Sequence, residues 1–253
     1  DYKFGNDAVI NFQNSTIKIN SNNLIPTVNI AYVLKNPANP DPQFIGAINE
    51  LGFNYTLIDD LKVSSTNFSN YDMILLGNEN IKNVPVNSYK SLIVNPDYYA
   101  DWCSKKGSIG ESNPLTANNF NTETSITEGL GGIFQVYTRG KFEFSGLTIP
   151  MYYLDGAKKT GVVGVTITNN PYINNGKNFI IAYKDNPKRV FFGITESDYW
   201  TANSKKLFQN SVKWLVEEEN QAPVFSGQIP NQVWKENENL TLNLSEYFSD
   251  PEN

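Results

Sequence analysis

At Asn220 the hydrophobic period of the chain changes. Leu207, Phe208, Ser211, Val212, Leu215 and Val216 recur at helical spacing and run into Glu217, Glu218 and Glu219, whereas after Pro223 apolar residues alternate with polar ones, as at Leu240, Leu242 and Leu244. A helix shows one face every 3.6 residues and a strand every 2, so these stretches bury their apolar sides in different ways. The seam divides the 253 residues into an extended β segment over 1–26, an α/β domain over 27–219, and the beginning of a β domain over 220–253. The strand pattern is unfinished at Asn253, and we expect it to continue as a repeat.

Within 1–26, Ala8, Ile10 and Phe12 alternate with polar neighbours, as do Ile17 and Ile19, before the Asn20 to Pro26 punctuation. This reads as a hairpin or as a strand lent to another subunit. Val28 to Leu34 then has the mostly apolar character of a buried parallel strand, and Asp41-Pro42 supplies an N-cap with proline in the first helical turn. Phe44, Ile45, Ile48 and Leu51 form one stripe of the helix that follows, and Gly52 offers a left-handed stop. Further strands are predicted at Tyr55 to Ile58, Tyr71 to Leu76 and Ser91 to Val94. Strands alternating with connections long enough to cross over predict a doubly wound, mostly parallel α/β sheet. Residues 105–128 read as a long loop. Short β-like runs follow at Ile133 to Tyr137, Phe142 to Phe144, Thr148 to Tyr153, Gly161 to Ile167, Phe179 to Tyr183 and Arg189 to Ile194, several of which are expected to extend the sheet, and Asn203 or Ser204 is expected to cap the last helix.

Charge and residue inventory narrow the function classes. A net charge of −6 opposes binding to nucleic-acid backbones, which requires clustered Lys and Arg. No apolar run approaches the ~20 residues of a membrane-spanning helix. Only 18% of residues are charged, so solubility rests on neutral polar groups, chiefly the 36 asparagines. Acceptor patterns for N-glycosylation occur at Asn14, Asn54, Asn67, Asn239 and Asn243, about as many as chance placement gives, and are read only outside the cytosol. There is no histidine and a single cysteine, Cys103, so an internal disulfide is excluded and the usual thiol–imidazole chemistry has no base.

The words Arg189-Val-Phe-Phe-Gly-Ile-Thr-Glu-Ser-Asp-Tyr-Trp200 and Leu207-Phe-Gln-Asn-Ser-Val-Lys-Trp-Leu215 resemble the closing strand and helix of ThuA-like domains within the class I glutamine amidotransferase-like fold. Val28 to Leu34, Leu51-Gly52-Phe53 and Tyr71 to Gly77 look like its first strand, first helix and third strand. The resemblance implies a flavodoxin-type or amidotransferase-type sheet over 27–219. Amidotransferase members carry a reactive cysteine on a tight strand-to-helix elbow with histidine as base. Here the corresponding turns read Gly77-Asn78-Glu79-Asn80 and Asn95-Pro96-Asp97, without cysteine. Cys103 follows Tyr98, Tyr99 and Trp102 and is expected inside a helix as a small buried hydrophobe. The domain is therefore expected to be catalytically degenerate. Ala222-Pro223-Val224-Phe225, Ile229-Pro230-Asn231-Gln232 and Leu242 to Glu252 resemble the start of cadherin-like or Ig-like repeats of microbial surface proteins, implying a β-sandwich repeat in an extracellular, cell-surface setting.

Candidate site residues follow. Glu236, Glu238, Asp250 and Glu252 can offer oxygen ligands to Ca²⁺ at a repeat junction, or form a solvated acidic edge. Asp59-Asp60 and Asp155 fall near strand ends, where open α/β sheets place their crevices, and also suit turns and caps. Glu196 and Asp198 can serve as a carboxylate acid–base pair. Tyr98, Tyr99, Trp102, Tyr199 and Trp200 can stack on sugars or pack in a core or interface. No phosphate-binding glycine motif is present. The expected function is a non-enzymatic structural protein, a surface-layer, filament or adhesion subunit whose partners are copies of itself or other surface proteins, with no cofactor beyond calcium. The alternative is a carbohydrate-binding or carbohydrate-cleaving surface protein using the α/β crevice. A third reading, a cytosolic amidotransferase, requires a working Cys103.

Overall fold

The computed structural model describes residues 2–4, 8–10, 28–121, 124–157, 160–165, 177–217, 224–225 and 247–249. At the N-terminus, β1 (Tyr2–Phe4) and β2 (Ala8–Ile10) form their own antiparallel two-stranded sheet, with Tyr2 opposite Ile10. Phe12, Ile17 and Ile19 of the segment expected as a hairpin or a lent strand lie outside the described residues.

The centre is an eleven-stranded mixed sheet. Its parallel half holds β3 (Asn29–Leu34), β4 (Asn54–Asp59), β5 (Met73–Leu76), β6 (Ser91–Ile93) and a late strand discussed below. β3 pairs in parallel with both β4 and β5, and β5 with β6. Between β3 and β4 lies α1 (Pro42–Glu50), capped by Asp41, whose side chain accepts from the amides of Gln43 and Phe44. Gly52, with φ of 74°, ends it in the left-handed region that glycine tolerates best.

Both faces of this half are covered. Ile30, Tyr32, Leu34, Met73, Leu75 and Leu92 point to the helical side, while Ala31, Val33, Ile74, Leu76 and Ile93 point to the other. That alternation follows from the period of 2 along each strand. The second face carries no α-helix among the described residues. Val63 and Phe68 from two short 3₁₀ turns (Asp60–Ser65 and Phe68–Asn70) cover it together with Ile81, Val84 and Val86 from the connection at 77–90.

Residues 105–128, expected as a long loop, instead contain β7 (Lys106–Ile109), β8 (Thr116–Asn119) and a 3₁₀ turn (Ser125–Thr127). Their sequences, Lys-Gly-Ser-Ile and Thr-Ala-Asn-Asn, have few apolar residues; distant pairing makes them strands. β8 pairs antiparallel with β9 (Ile133–Gln135). β7 pairs with β10 (Met151–Asp155), placing the Tyr153 ring over Gly107, where a Cβ would fall 2.3 Å from it. Phe142 to Phe144, predicted as strand, lies in a tight turn closed by the bridge Lys141↔Thr148. β11 (Gly161–Val165), β12 (Asn178–Asp185) and β13 (Lys188–Phe192) complete the sheet. β13 is the late parallel strand, lying beside β6 and antiparallel to β12. Of the expected runs all but Phe142 to Phe144 thus contribute strands, β13 in parallel with β6 and the others antiparallel to their neighbours, in the order β4-β3-β5-β6-β13-β12-β11-β8-β9, with β10 against β12.

α2 (Ala202–Val216) buries Leu207, Phe208, Ser211, Val212 and Leu215, the face its sequence period marks. Its cap is Thr201 rather than Asn203 or Ser204: the Thr201 Oγ1 accepts from the Ser204 amide at 3.3 Å. α2 lies on the same side of the sheet as α1, tied to it by the Lys205–Glu50 ion pair and by Gln209, which donates to the Ala47 carbonyl at 3.2 Å. Beyond the seam, β14 (Val224–Phe225) pairs antiparallel with β15 (Phe248–Ser249). Apart from Tyr247, the other residues of the segment expected to begin a β repeat lie outside the described residues, Glu236, Glu238, Asp250, Glu252, Asn239 and Asn243 among them, as does Asn14.

Candidate functional site

The chain leaves β3 over one face through α1 to β4, then returns to the opposite side of β3 to form β5. Such a reversal opens a crevice at the carboxyl ends of the strands. The crevice is present: a cleft of ≈ 240 Å³ is lined by Tyr32, Asp41, Phe44, Asn78, Glu79, Thr195, Glu196, Ser197 and Asp198. These residues come from β3, the start of α1, the turn after β5 and the turn after β13, so four carboxylates from three separate stretches of sequence share one end of the sheet.

Each wall is held differently. The Asp41 Oδ1 caps α1, and its Oδ2 accepts from the Ser197 hydroxyl at 2.5 Å, joining α1 to the turn after β13. The Tyr32 hydroxyl accepts from the Asp41 amide at 3.4 Å, and burial pushes its phenol well above its ordinary value. The Glu196 Oε1 accepts from the Thr195 hydroxyl at 3.2 Å. Partial burial, followed by the charges of Asp198 and Asp41, raises the Glu196 carboxyl above the usual range. Burial also raises Glu79, with the Asp41 and Asp60 charges adding to it and the Lys35 and Glu79 amides partly offsetting it. The Glu79 Oε2 is buried without a hydrogen-bond partner. Among the described residues, no group of three or more acidic, histidine or cysteine side chains is arranged to hold a metal ion.

The raised Glu196 carboxyl makes a prediction of definite sign. In the unfolded chain it titrates near 4.5, and in the folded chain at higher pH. Between those values the folded state binds more protons, so stability falls as pH rises through the window. Glu196→Gln, which keeps the Thr195 hydrogen bond and cannot ionise, is expected to melt above the wild type at about pH 8, and the difference is expected to close as pH falls towards about 4.5. Thermal unfolding at both pH values measures it.

The structure brings Glu196 and Asp198 together with Asp41 and Glu79, which sequence reading treats only as a cap and as part of a turn. The signal that locates all four is their position after β3, β5 and β13. Asp59 caps the first 3₁₀ turn by accepting from the Leu61 amide at 2.9 Å, whereas Asp60 lies outside the cleft lining. Asp155 ends β10, where its amide donates to the Lys105 carbonyl at 2.9 Å, and it is not among the residues lining the cleft. The aromatic residues do not form one platform. Tyr98 and Trp102 pack against the core of the second face, and Tyr99 and Trp102 against Leu154 and Phe191. Trp200 joins Phe44, Phe192 and Phe208 in the main core, its indole donating to the Ile194 carbonyl at 3.0 Å. Tyr199 is half-buried against the same core, edge-on to Phe142 at 5.5 Å. Asn54 and Asn67 are both exposed, and Asn67 caps the second 3₁₀ turn.

The turn after β6, one of the two read above against the elbow, is occupied by a structural group. Asn95, after β6, is 2% exposed. Its amide donates to the Ile81 carbonyl at 3.5 Å and to that of Glu79 at 2.6 Å, and its Oδ1 accepts from the Asp97 amide. Cys103 is not helical, contrary to expectation; it sits in irregular chain because only a short 3₁₀ turn (Pro96–Tyr98) follows β6. Its thiol donates to the Lys105 carbonyl at 2.9 Å.

Comparison with solved structures agrees with this architecture. A putative ThuA-like protein from Bacteroides uniformis superposes with a TM-score of 0.54 at 11% identity, covering 75% of this chain and 91% of that one. The fold is ThuA-like. A putative GMP synthase component from Thermoplasma acidophilum gives 0.49 at 11% identity, covering 75% of this chain and 94% of that one. A glutamine amidotransferase from Thermotoga maritima gives 0.43 at 9% identity, covering 76% and 99%. No family model matches the chain, and no curated protein does. The likeness to the ThuA-like protein is thus one of mixed α/β fold. Among the described residues no helix is long and apolar enough to cross a membrane.

Proposed function

We propose that the chain is part of a non-enzymatic extracellular structural protein, a surface-layer, filament or adhesion subunit, in which a ThuA-like unit works through protein contacts. The supporting observation is Asn95. At a turn where an amidotransferase elbow would present a reactive thiol, this side chain is buried and spends its polar atoms holding the 79–81 and 95–97 backbone. Cys103 offers no substitute, because the chain has no histidine to activate it. The resemblance of the sequence after Asn220 to the start of a surface-protein repeat supports the setting, and the antiparallel β1–β2 pair offers a further contact element. Sedimentation and electron microscopy of the purified chain should show concentration-dependent assembly, with no ammonia released from glutamine. Glutaminase activity that disappears in Cys103→Ala would overturn this reading.

A second reading, carbohydrate binding or cleavage, draws on the carboxylate-lined cleft, where Glu79 and Glu196 hold protons more tightly than ordinary carboxyls. A glycan array together with a hydrolase screen on the chain separates the two.

A further inference from the structure

Two large apolar side chains stand in solvent on the turn whose Phe142 packs against Tyr199. Phe144 is fully exposed and Leu147 is 68% exposed. Singly exposed apolar residues are normal, whereas contiguous apolar surface marks contact sites. This turn is held at its base: Phe142 donates its amide to the Leu147 carbonyl at 2.9 Å and Gly146 donates to the Phe142 carbonyl at 3.2 Å. Its root is fastened to the cleft wall. The Phe142 ring meets Tyr199 edge-on at 5.5 Å, the Arg139 guanidinium lies 5.9 Å from the Tyr199 ring centre, and the Thr138 amide donates to the Tyr199 carbonyl at 2.8 Å. Tyr199 closes the Ser197–Tyr199 turn, which also supplies Ser197 and Asp198 to the cleft.

The cleft has charge to offer. Asp41, Glu79, Glu196 and Asp198 line it with no lysine or arginine among them, and none of the four takes part in a salt bridge among the described residues. One of the four, Glu79, keeps its Oε2 buried without a hydrogen-bond partner among the described residues. The volume of ≈ 240 Å³ is below the roughly 300–1,000 Å³ usual for small-molecule sites, and suits a single side-chain head.

We propose that this end of the sheet docks a segment of a partner protein in which a lysine or arginine neighbours a large apolar side chain, the cation entering the cleft and the apolar group covering Phe144 and Leu147. The proposal rests on the contact-making function above and names the kind of contact. A cationic head on an aliphatic stem suits a polar cleft behind an apolar lip, and complementary charge selects it over a neutral or acidic segment. Binding weakens with salt, because the cleft is open enough for screening. It also strengthens as pH rises from acid, since Glu79 and Glu196 must ionise amid Asp41, Asp198 and the Tyr32 phenol, with Lys35 and Asp60 nearby.

The test is titration of the full chain with the capped peptide acetyl-Gly-Leu-Lys-Leu-Gly-amide at low salt, followed calorimetrically. A Kd on the order of 10⁻⁴ M is expected. Replacing the peptide's lysine by norleucine should weaken binding about tenfold or more, and Phe144→Ser in the chain about tenfold. Glu196→Gln should weaken it several-fold, with near-ultraviolet circular dichroism unchanged in both variants. No binding at about 1 mM peptide overturns the proposal, as does indifference to norleucine or to Phe144→Ser. Self-association that Phe144→Ser abolishes, without peptide binding, would assign the lip to a second copy and likewise overturn it. Assembly and the lack of glutaminase activity can persist through any of these failures, so the two readings fall separately.

Discussion

Phe208→Ala is expected to destabilise the α/β unit by about 3–5 kcal/mol, the range for removing a buried aromatic ring. Phe208 is 0% exposed. Its ring stacks on Phe44 of α1 at 5.1 Å, meets Phe192 of β13 edge-on at 5.7 Å, and lies 5.2 Å from Trp200. One side chain thereby joins both helices to the parallel sheet. Aromatic pairs add about 0.5–1.5 kcal/mol each beyond the area they bury, so the cavity cannot close without moving α1 against α2. For a domain near this size each kcal/mol shifts the melting temperature by roughly 2–4 °C, and a fall of about 10 °C is expected. Phe208→Leu keeps most of the volume and should lose less than half as much. Denaturant unfolding of the three proteins measures both differences. A loss under about 1 kcal/mol for Phe208→Ala would mean that the two helices are not coupled through this ring.

The same ring shows what the sequence makes legible. The apolar stripe Leu207, Phe208, Ser211, Val212 and Leu215 can be read from spacing alone, because a long amphipathic helix repeats its signal over four turns. Asp41-Pro42 is legible for a local reason too, since a cap and a pre-set proline φ act within one turn. Thr201 is not legible, because Thr, Asn and Ser stand together at 201, 203 and 204 and only the geometry selects the hydroxyl that reaches the Ser204 amide. β7 and β8 escape sequence reading because their stability is supplied by distant partners: Gly107 is flat enough for Tyr153 to lie over it, and Ala117 finds Phe134 opposite. The cleft is half legible. Glu196 and Asp198 stand in one turn, but Asp41 and Glu79 join them only through the strand order β3-β5-β6-β13, which no local pattern specifies. Asn95 is visible as a non-cysteine, yet its buried hydrogen bonds do not follow from its identity.

Gly193→Val is expected to be the most disruptive substitution at a residue that carries no side chain. Gly193 follows β13 where the sheet branches: its amide donates to the Ile180 carbonyl at 2.7 Å, and its own carbonyl accepts from the Tyr152 amide at 2.9 Å. It therefore laces β12 and β10 to the end of β13. A Cβ at this position would lie 2.0 Å from the Tyr152 carbonyl oxygen and 3.0 Å from that of Ile180. Both are backbone atoms, so no rotamer change relieves the overlap. Either β10 moves away with β7, which pairs along it, or both hydrogen bonds break. Two buried backbone bonds left unmade cost about 1–3 kcal/mol each, before the steric strain is counted. A loss above about 4 kcal/mol, or failure to fold, is expected. A glycine inside the run Phe-Phe-Gly-Ile already hints at such close approach, since strand interiors otherwise disfavour it. Hydrogen exchange separates the two outcomes. If β10 peels away, amides of β7 and β10 lose protection while β3, β5 and β6 keep theirs. Wild-type stability with wild-type protection at Tyr152 would show that this strand is not laced to Gly193.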